Sequence, residues 1–145
     1  MRAPPPMARF LVVDDDAAAV RALGRLLVSD GHHVHACTSG AEAVGELSRA
    51  SFDVVVTDLE MPDTDGRAVM RIARGCMPRV CLVVATARAL DAHEELSEAG
   101  ACIVADKPLD YDEITRMIAA CRGQASPDGE CPIRAARCPL VRMRV

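Results

Sequence analysis

Val54-Val55-Val56-Thr57-Asp58-Leu59-Glu60-Met61-Pro62 is the stretch from which the rest of this chain can be read. It begins with β-branched, uncharged residues, the pattern of a short strand buried on both faces, and the run stops on a carboxylate, Asp58. Turn signals follow at once in Met61-Pro62 and Asp65-Gly66. Strands this short and this apolar belong to parallel sheets covered by helices. In such sheets ligands sit outside the carboxyl ends of the strands. An acid at that position suits chemistry, although a lone strand-end Asp equally suits a turn cap. Its neighbours decide between the two.

The same unit recurs on either side of it. Phe10-Leu11-Val12-Val13 is a strand ending on Asp14-Asp15-Asp16, and Asp16 is placed to cap a helix with Val20, Leu23 and Leu27 on one face and Arg21 and Arg25 on the other. Asp30-Gly31 closes that helix, and His32 to Cys37 reads as a weaker, edge-type strand. Thr38-Ser39 opens a second helix with Ala41, Ala43, Val44 and Leu47 inward, ending near Arg49. A third helix runs from Arg67 to Arg74, with Val69, Met70 and Ala73 inward, and Cys76-Met77-Pro78 breaks it. Val80 to Ala85 is a strongly apolar strand ending on Thr86-Ala87, followed by an acidic helix over residues 89–99 that Gly100 stops. Cys102-Ile103-Val104-Ala105 is a fifth strand, ending on Asp106-Lys107-Pro108; Asp110 then caps a last helix with Ile114, Met117, Ile118 and Cys121 on one face. Five strands alternating with five helices predict an α/β, flavodoxin-like, doubly wound (βα)5 fold with a five-stranded parallel sheet. Strands one, three and four are the most apolar and belong at the centre, which gives the order 2-1-3-4-5.

Composition bounds the function. At 145 residues one domain is expected. With no Trp, one Tyr and two Phe the core is aliphatic and there is no aromatic platform for nucleic-acid bases. The net charge of −4 is uneven: Asp128 and Glu130 against Arg134, Arg137, Arg142 and Arg144 leave +2 in residues 123–145, hence −6 in residues 1–122. That argues against direct nucleic-acid binding. No apolar run approaches a membrane span, and residues 1–7 lack the apolar core of a signal peptide and read as a disordered leader. The seven cysteines are odd in number and form no C-x-x-C pair, which suits the reducing cytoplasm. Cys81 and Cys102 lie in apolar runs and read as small core residues. Residues 8–122 form the expected domain, and 123–145 reads as a disordered basic tail containing Cys131-Pro132 and Cys138-Pro139, with no room for an output domain.

The strand ends carry the chemistry. They bring Asp14 and Asp15, Asp58, Thr86 and Lys107 to one edge of the sheet. Packed carboxylates repel and call for a cation, and an all-oxygen ligand set selects Mg2+ or Mn2+. A carboxylate beside such an ion can act as a nucleophile and form an aspartyl phosphate. A Lys ammonium and a Thr hydroxyl supply charge and a hydrogen bond to phosphoryl oxygens.

On these residues the chain resembles a receiver domain of a two-component response regulator, of the single-domain type. The likeness rests on Val13-Asp14-Asp15-Asp16, on Asp58-Leu59-Glu60-Met61-Pro62 with Asp65-Gly66, on Ala85-Thr86-Ala87 and on Lys107-Pro108, in that order and spacing. The resemblance implies that Asp58 is the phosphoacceptor, that Asp14, Asp15, Asp58 and the Glu60 backbone carbonyl hold the metal, and that Thr86 is the switch hydroxyl and Lys107 the phosphoryl partner. It implies a cis Lys107-Pro108 bond, a sensor histidine kinase or phosphotransfer protein as donor, and a signalling surface on helix four, strand five and helix five. It further implies a downstream protein target, and it leaves open a phosphorylation-dependent homodimer. A phosphoacceptor of this kind catalyses its own phosphorylation and dephosphorylation and is not otherwise an enzyme.

Two positions depart from the family pattern. Val104 stands where the family often has a Tyr or Phe that turns inward with the Thr, so switching would rest on Thr86 and the backbone. Glu60 and Arg88 flank the water route to the site, and a pair between them across its mouth would slow loss of the phosphoryl group. Among the remaining polar residues, Asp53, Asp63 and Asp65 read as turn residues, and His32, His33 and His35 as solvated edge histidines. The Asp91 to Glu98 face reads as solvated. Two other functions compete. A phosphohydrolase of the haloacid-dehalogenase type needs Asp-x-Asp followed by x-Thr or x-Val after strand one, which Asp14-Asp15-Asp16-Ala17-Ala18 lacks. A phosphorylation-independent interaction module would not need the complete set of site residues.

Overall fold

A computed structural model describes residues 7–123. Five strands alternate with five helices: β1 (Arg9–Val13), α1 (Ala17–Ser29), β2 (His33–Cys37), α2 (Gly40–Leu47), β3 (Val54–Asp58), α3 (Gly66–Cys76), β4 (Cys81–Thr86), α4 (Ala89–Glu98), β5 (Ile103–Asp106) and α5 (Tyr111–Gly123). The strands form one parallel sheet in the order β2-β1-β3-β4-β5, as the apolar grading of the strands predicts. Every residue of β3 and β4 is buried, whereas β2 at the edge keeps only Cys37 fully inside. The readings of residues 1–6 as part of a leader and of 124–145 as a tail lie outside the described residues.

Local chemistry fixes the helix ends. The Asp16 carboxylate accepts from the amides of Ala18 and Ala19 at 3.0 and 3.3 Å, Asp65 from that of Arg67 at 2.9 Å, and Asp110 from that of Glu113 at 3.0 Å. At the other ends, Gly31 and Gly100 take φ of +93° and +113°, the left-handed conformation that stops α1 and α4 at little cost to glycine. The buried faces of α3 and α5 are those predicted: Val69, Met70 and Ala73, and Ile114, Met117, Ile118 and Cys121. In α2 the face is rotated. Gly40, Ala43 and Leu47 are buried, Val44 only partly, and Ala41 is exposed. The cause is a cross-cap: Asp63, in the loop after β3, accepts from the Gly40 and Ala41 amides at 3.3 and 3.2 Å and turns the first turn of α2 toward that loop. These bonds hold the Asp63 carboxyl below its usual pKa.

Of the three edge histidines, His32 has a structural task. Its Nδ1 accepts from the Ala8 amide at 3.1 Å, and its ring tilts against Phe10 with centroids 5.0 Å apart. Only the neutral ring can accept that bond. Burial lowers the His32 pKa, Asp30 opposes the shift, and Arg122 adds to it. A folded pKa below the unfolded value means that the unfolded chain takes up the proton first. The contribution of His32 is thus complete above the unfolded pKa of about 6.5 and is lost as pH falls through the window beneath it. Thermal melts at pH 7.5 and 5.5 should show a loss at the lower pH that shrinks in His32→Asn, whose amide oxygen accepts without titrating. An unchanged loss would remove His32 as its cause.

Candidate functional site

The register of the sheet assembles the site. Val13 lies opposite Thr57, Asp58 opposite Ala85, and Thr86 opposite Asp106. The residues that leave the carboxyl edge next (Asp14 after β1, Lys107 after β5) therefore stand beside Asp58 and Thr86. Backbone bonds carry the ladder past the strand ends: Asp14 N donates to Cys37 O at 3.1 Å, Leu59 N to Ala85 O at 3.0 Å, and Lys107 N to Thr86 O at 3.0 Å. The Lys107-Pro108 bond is cis.

Lys107 joins two of the acids. Its Nζ lies 3.0 Å from Asp58 Oδ2 and 3.1 Å from Asp14 Oδ2. The other Asp58 oxygen accepts from the Glu60 amide at 3.3 Å, and the other Asp14 oxygen from the Asp16 amide at 3.0 Å. Burial raises the Asp58 pKa; the Lys107 and Glu60 bonds oppose this without cancelling it, and the Asp14 charge reinforces it. Burial also pulls on Lys107, but its bonds to Asp58 and Asp14 outweigh that and raise its pKa, so it stays an ammonium. Asp15 is exposed, yet its carboxylate completes a cluster: one oxygen each of Asp14, Asp15 and Asp58 lie within 4.8 Å of one another. Oxygen donors at this spacing fit a hard divalent cation, the ion that the sequence pattern calls for. Beside the cluster opens a cavity of about 490 Å³, reaching Leu23, Leu26, Leu109 and Tyr111.

Thr86 is buried, 1% exposed. Its hydroxyl donates to Glu60 Oε1 at 3.2 Å and accepts from the Arg88 amide at 3.2 Å. The expected Glu60–Arg88 pair does not form; Glu60 takes the nearer hydroxyl, and the Arg88 side chain stays exposed. Val104 is fully buried opposite Val84, so the interior beneath Thr86 is aliphatic. On the acidic face of α4, Glu95 pairs with Arg67 of α3.

The five side chains at this edge were legible in the sequence, but one of their supports was not. α4 has no side-chain cap of its own at Arg88. Asp106, from the end of β5, accepts from the Ala89 amide at 3.2 Å instead. That bond ties the start of α4 to the residue preceding Lys107. Its partners are 17 residues apart, beyond any local capping signal.

Comparison with known proteins identifies the family and the fold. The family model of the response regulator receiver domain matches residues 10–119. Transcriptional regulatory protein GlrR of Escherichia coli (strain K12) is 30% identical over 121 residues, covering 83% of this chain and 27% of that protein. The chain spans about a quarter of the length of the first curated relatives it matches. Among solved structures, a CheY-like response regulator receiver domain protein from Methanospirillum hungatei superposes with a TM-score of 0.74 at 23% identity, over 79% of this chain and 93% of that one. The beryllofluoride-activated NtrC4 receiver domain dimer superposes with a TM-score of 0.71 at 26% identity, over 77% of this chain and 93% of that one.

Proposed function

The chain belongs to the response regulator receiver domain family of two-component signalling, and on that premise we propose that Asp58 accepts a phosphoryl group from the phosphohistidine of a sensor kinase or phosphotransfer protein. The observation that supports this most is the Lys107 ammonium bridging Asp58 and Asp14 at 3.0 and 3.1 Å beside a third carboxylate. In the transfer, an Asp58 carboxylate oxygen attacks phosphorus, the P–N bond of the donor breaks, and the imidazole leaves with that electron pair and takes up a proton. Asp14, Asp15, Asp58 and the Glu60 carbonyl are the residues that would hold Mg2+ or Mn2+. Bound there, the ion supplies positive charge to the phosphoryl oxygens. Lys107 keeps Asp58 ionised for attack and then exchanges its carboxylate contact for a phosphoryl oxygen. Thr86 leaves Glu60 for another phosphoryl oxygen, which draws the amide of Arg88 and the start of α4 with it.

Because Asp106 holds the same end of α4, the shift passes to β5 and so to the α4-β5-α5 face, where a downstream protein would read it. Buried Val104 leaves this path to hydrogen bonds alone. A homodimer formed on activation is part of the reading, on the likeness to the NtrC4 receiver domain dimer, and so is a cytoplasmic location. Among the described residues no helix is long and apolar enough to cross a membrane.

Intact-mass measurement after incubation with acetyl phosphate and Mg2+ tests the proposal. One added phosphoryl group is expected, absent in Asp58→Ala and absent when the metal is chelated. Sustained release of phosphate without a labelled species would favour a phosphohydrolase, and neither outcome would leave an interaction module.

A further inference from the structure

At the opposite edge of the sheet, three cysteines meet. Cys81 is the first residue of β4 and pairs with Val54, the first of β3, so it lies about 13 Å along the strands from the level of Asp58. Cys102 immediately precedes β5, and Cys121 is on the last turns of α5. All three are thiols and all are buried, at 2%, 3% and 5% exposure. Their sulfur atoms lie within 4.8 Å of one another, and among the described residues no His or carboxylate joins the group.

A guanidinium and a cavity border the sulfurs. The Arg74 guanidinium points at Cys102 Sγ from 3.5 Å while also binding the Val80 and Gly100 carbonyls. A cavity of about 410 Å³ adjoins the sulfurs and also reaches Met77, Arg79 and Arg122. Small core residues require only burial; these three also bring their sulfurs to one point beside a cavity.

We propose that Cys81, Cys102 and Cys121 form a binding site for one soft, thiophilic cation, Cu(I) or Zn(II). Three sulfurs about 2.3 Å from a shared ion stand about 4 Å apart, so only a small contraction of the observed cluster is needed. An all-sulfur set excludes hard ions such as Mg2+. Three thiolates satisfy Cu(I) by themselves, whereas Zn(II) would draw a fourth ligand, a water, from the cavity. A disulfide would use two of the sulfurs, require them to close to about 2.05 Å, and leave the third unused. Ligation here would fasten α5 to the starts of β4 and β5, the elements whose far ends carry Thr86 and Lys107.

The full chain, reduced and kept anaerobic, is titrated separately with Zn2+ and with Cu(I) against a chromophoric competitor, with excess Mg2+ to hold the acidic cluster. One ion per chain is expected, with three sulfur scatterers at about 2.3 Å in X-ray absorption. Affinity should fall at least tenfold in Cys102→Ala and in Cys121→Ser, and stay unchanged in Cys37→Ala and in the double variant Cys131→Ser/Cys138→Ser. Circular dichroism establishes that each variant folds, and the absorption spectrum of the unaltered chain decides the matter if one does not. Retention of neither ion, nitrogen or oxygen coordination in place of sulfur, binding that survives Cys102→Ala, or binding lost with the double variant would each overturn the proposal.

Discussion

Gly66→Ala is expected to destabilise the fold by about 3 kcal/mol, the upper end for overpacking, and to lower the melting temperature by about 10 °C. A Cβ at this position would lie 2.3 Å from the Asp58 carbonyl oxygen, 2.7 Å from Leu59 Cα and 2.9 Å from Leu59 O. All three are backbone atoms, so no side chain can swing aside. Gly66 N donates to Leu59 O at 2.9 Å, and this close approach folds the β3–α3 loop back onto the end of β3. Relief of the clash has to push Asp58 and Leu59 away from α3, and the Asp58 carboxylate moves with its backbone. Thermal melts and phosphoryl incorporation should therefore fall together. Gly75→Ala, a helical position where an added Cβ meets nothing within 4 Å, should leave both intact. A Gly66→Ala protein with unchanged melting would contradict the packing described for this loop.

Lys107→Ala should slow phosphoryl incorporation from acetyl phosphate by about 10²-fold, the scale for removing one donor to a developing oxyanion. Its effect on stability is smaller, about 1–2 kcal/mol without metal. Asp58 and Asp14 would lose the only ammonium near them among the described residues, while 5% and 13% exposed. Breaking a fully buried pair costs more, but the Lys107 side chain is one-third exposed, and water there moderates the loss. Mg2+ should restore much of the stability by supplying charge to the same carboxylates, whereas the deficit in rate should persist at saturating Mg2+, because the phosphoryl oxygens still lack their donor. An unaltered rate in Lys107→Ala at saturating Mg2+ would mean that Lys107 serves only to balance charge.

Much of this was legible in the sequence because it is local or periodic. Apolar runs gave the strands and their central or edge places, and Asp16, Asp65 and Asp110 marked helix starts by the spacing of a carboxylate from the amides it caps. The candidate site was legible because a parallel sheet brings every strand end to one side, so that residues as far apart as Asp14 and Lys107 needed no pairwise prediction. Contacts set by packing between loops were not legible. The hold of Asp63 on α2, which turned Ala41 outward, and that of Asp106 on α4 cross 22 or 23 and 17 residues, with no periodic signal. Thr86 reached Glu60, and Arg88 did not, because side-chain reach at the mouth depends on the path of the loop after β3. The three thiols were invisible for a related reason. Each occupies an apolar position in its own element, and only the register of β4 with β5 and the docking of α5 bring them together.

Whether Asp58 carries the phosphoryl group is decided by chemical trapping at that residue. Borohydride reduces an acyl phosphate to an alcohol, so protein incubated with acetyl phosphate and Mg2+, then reduced and digested, should yield homoserine in place of aspartate at position 58. Reduction at Asp14 or Asp15, or intact aspartate at position 58 in protein that has gained a phosphoryl group, would exclude Asp58 as the acceptor.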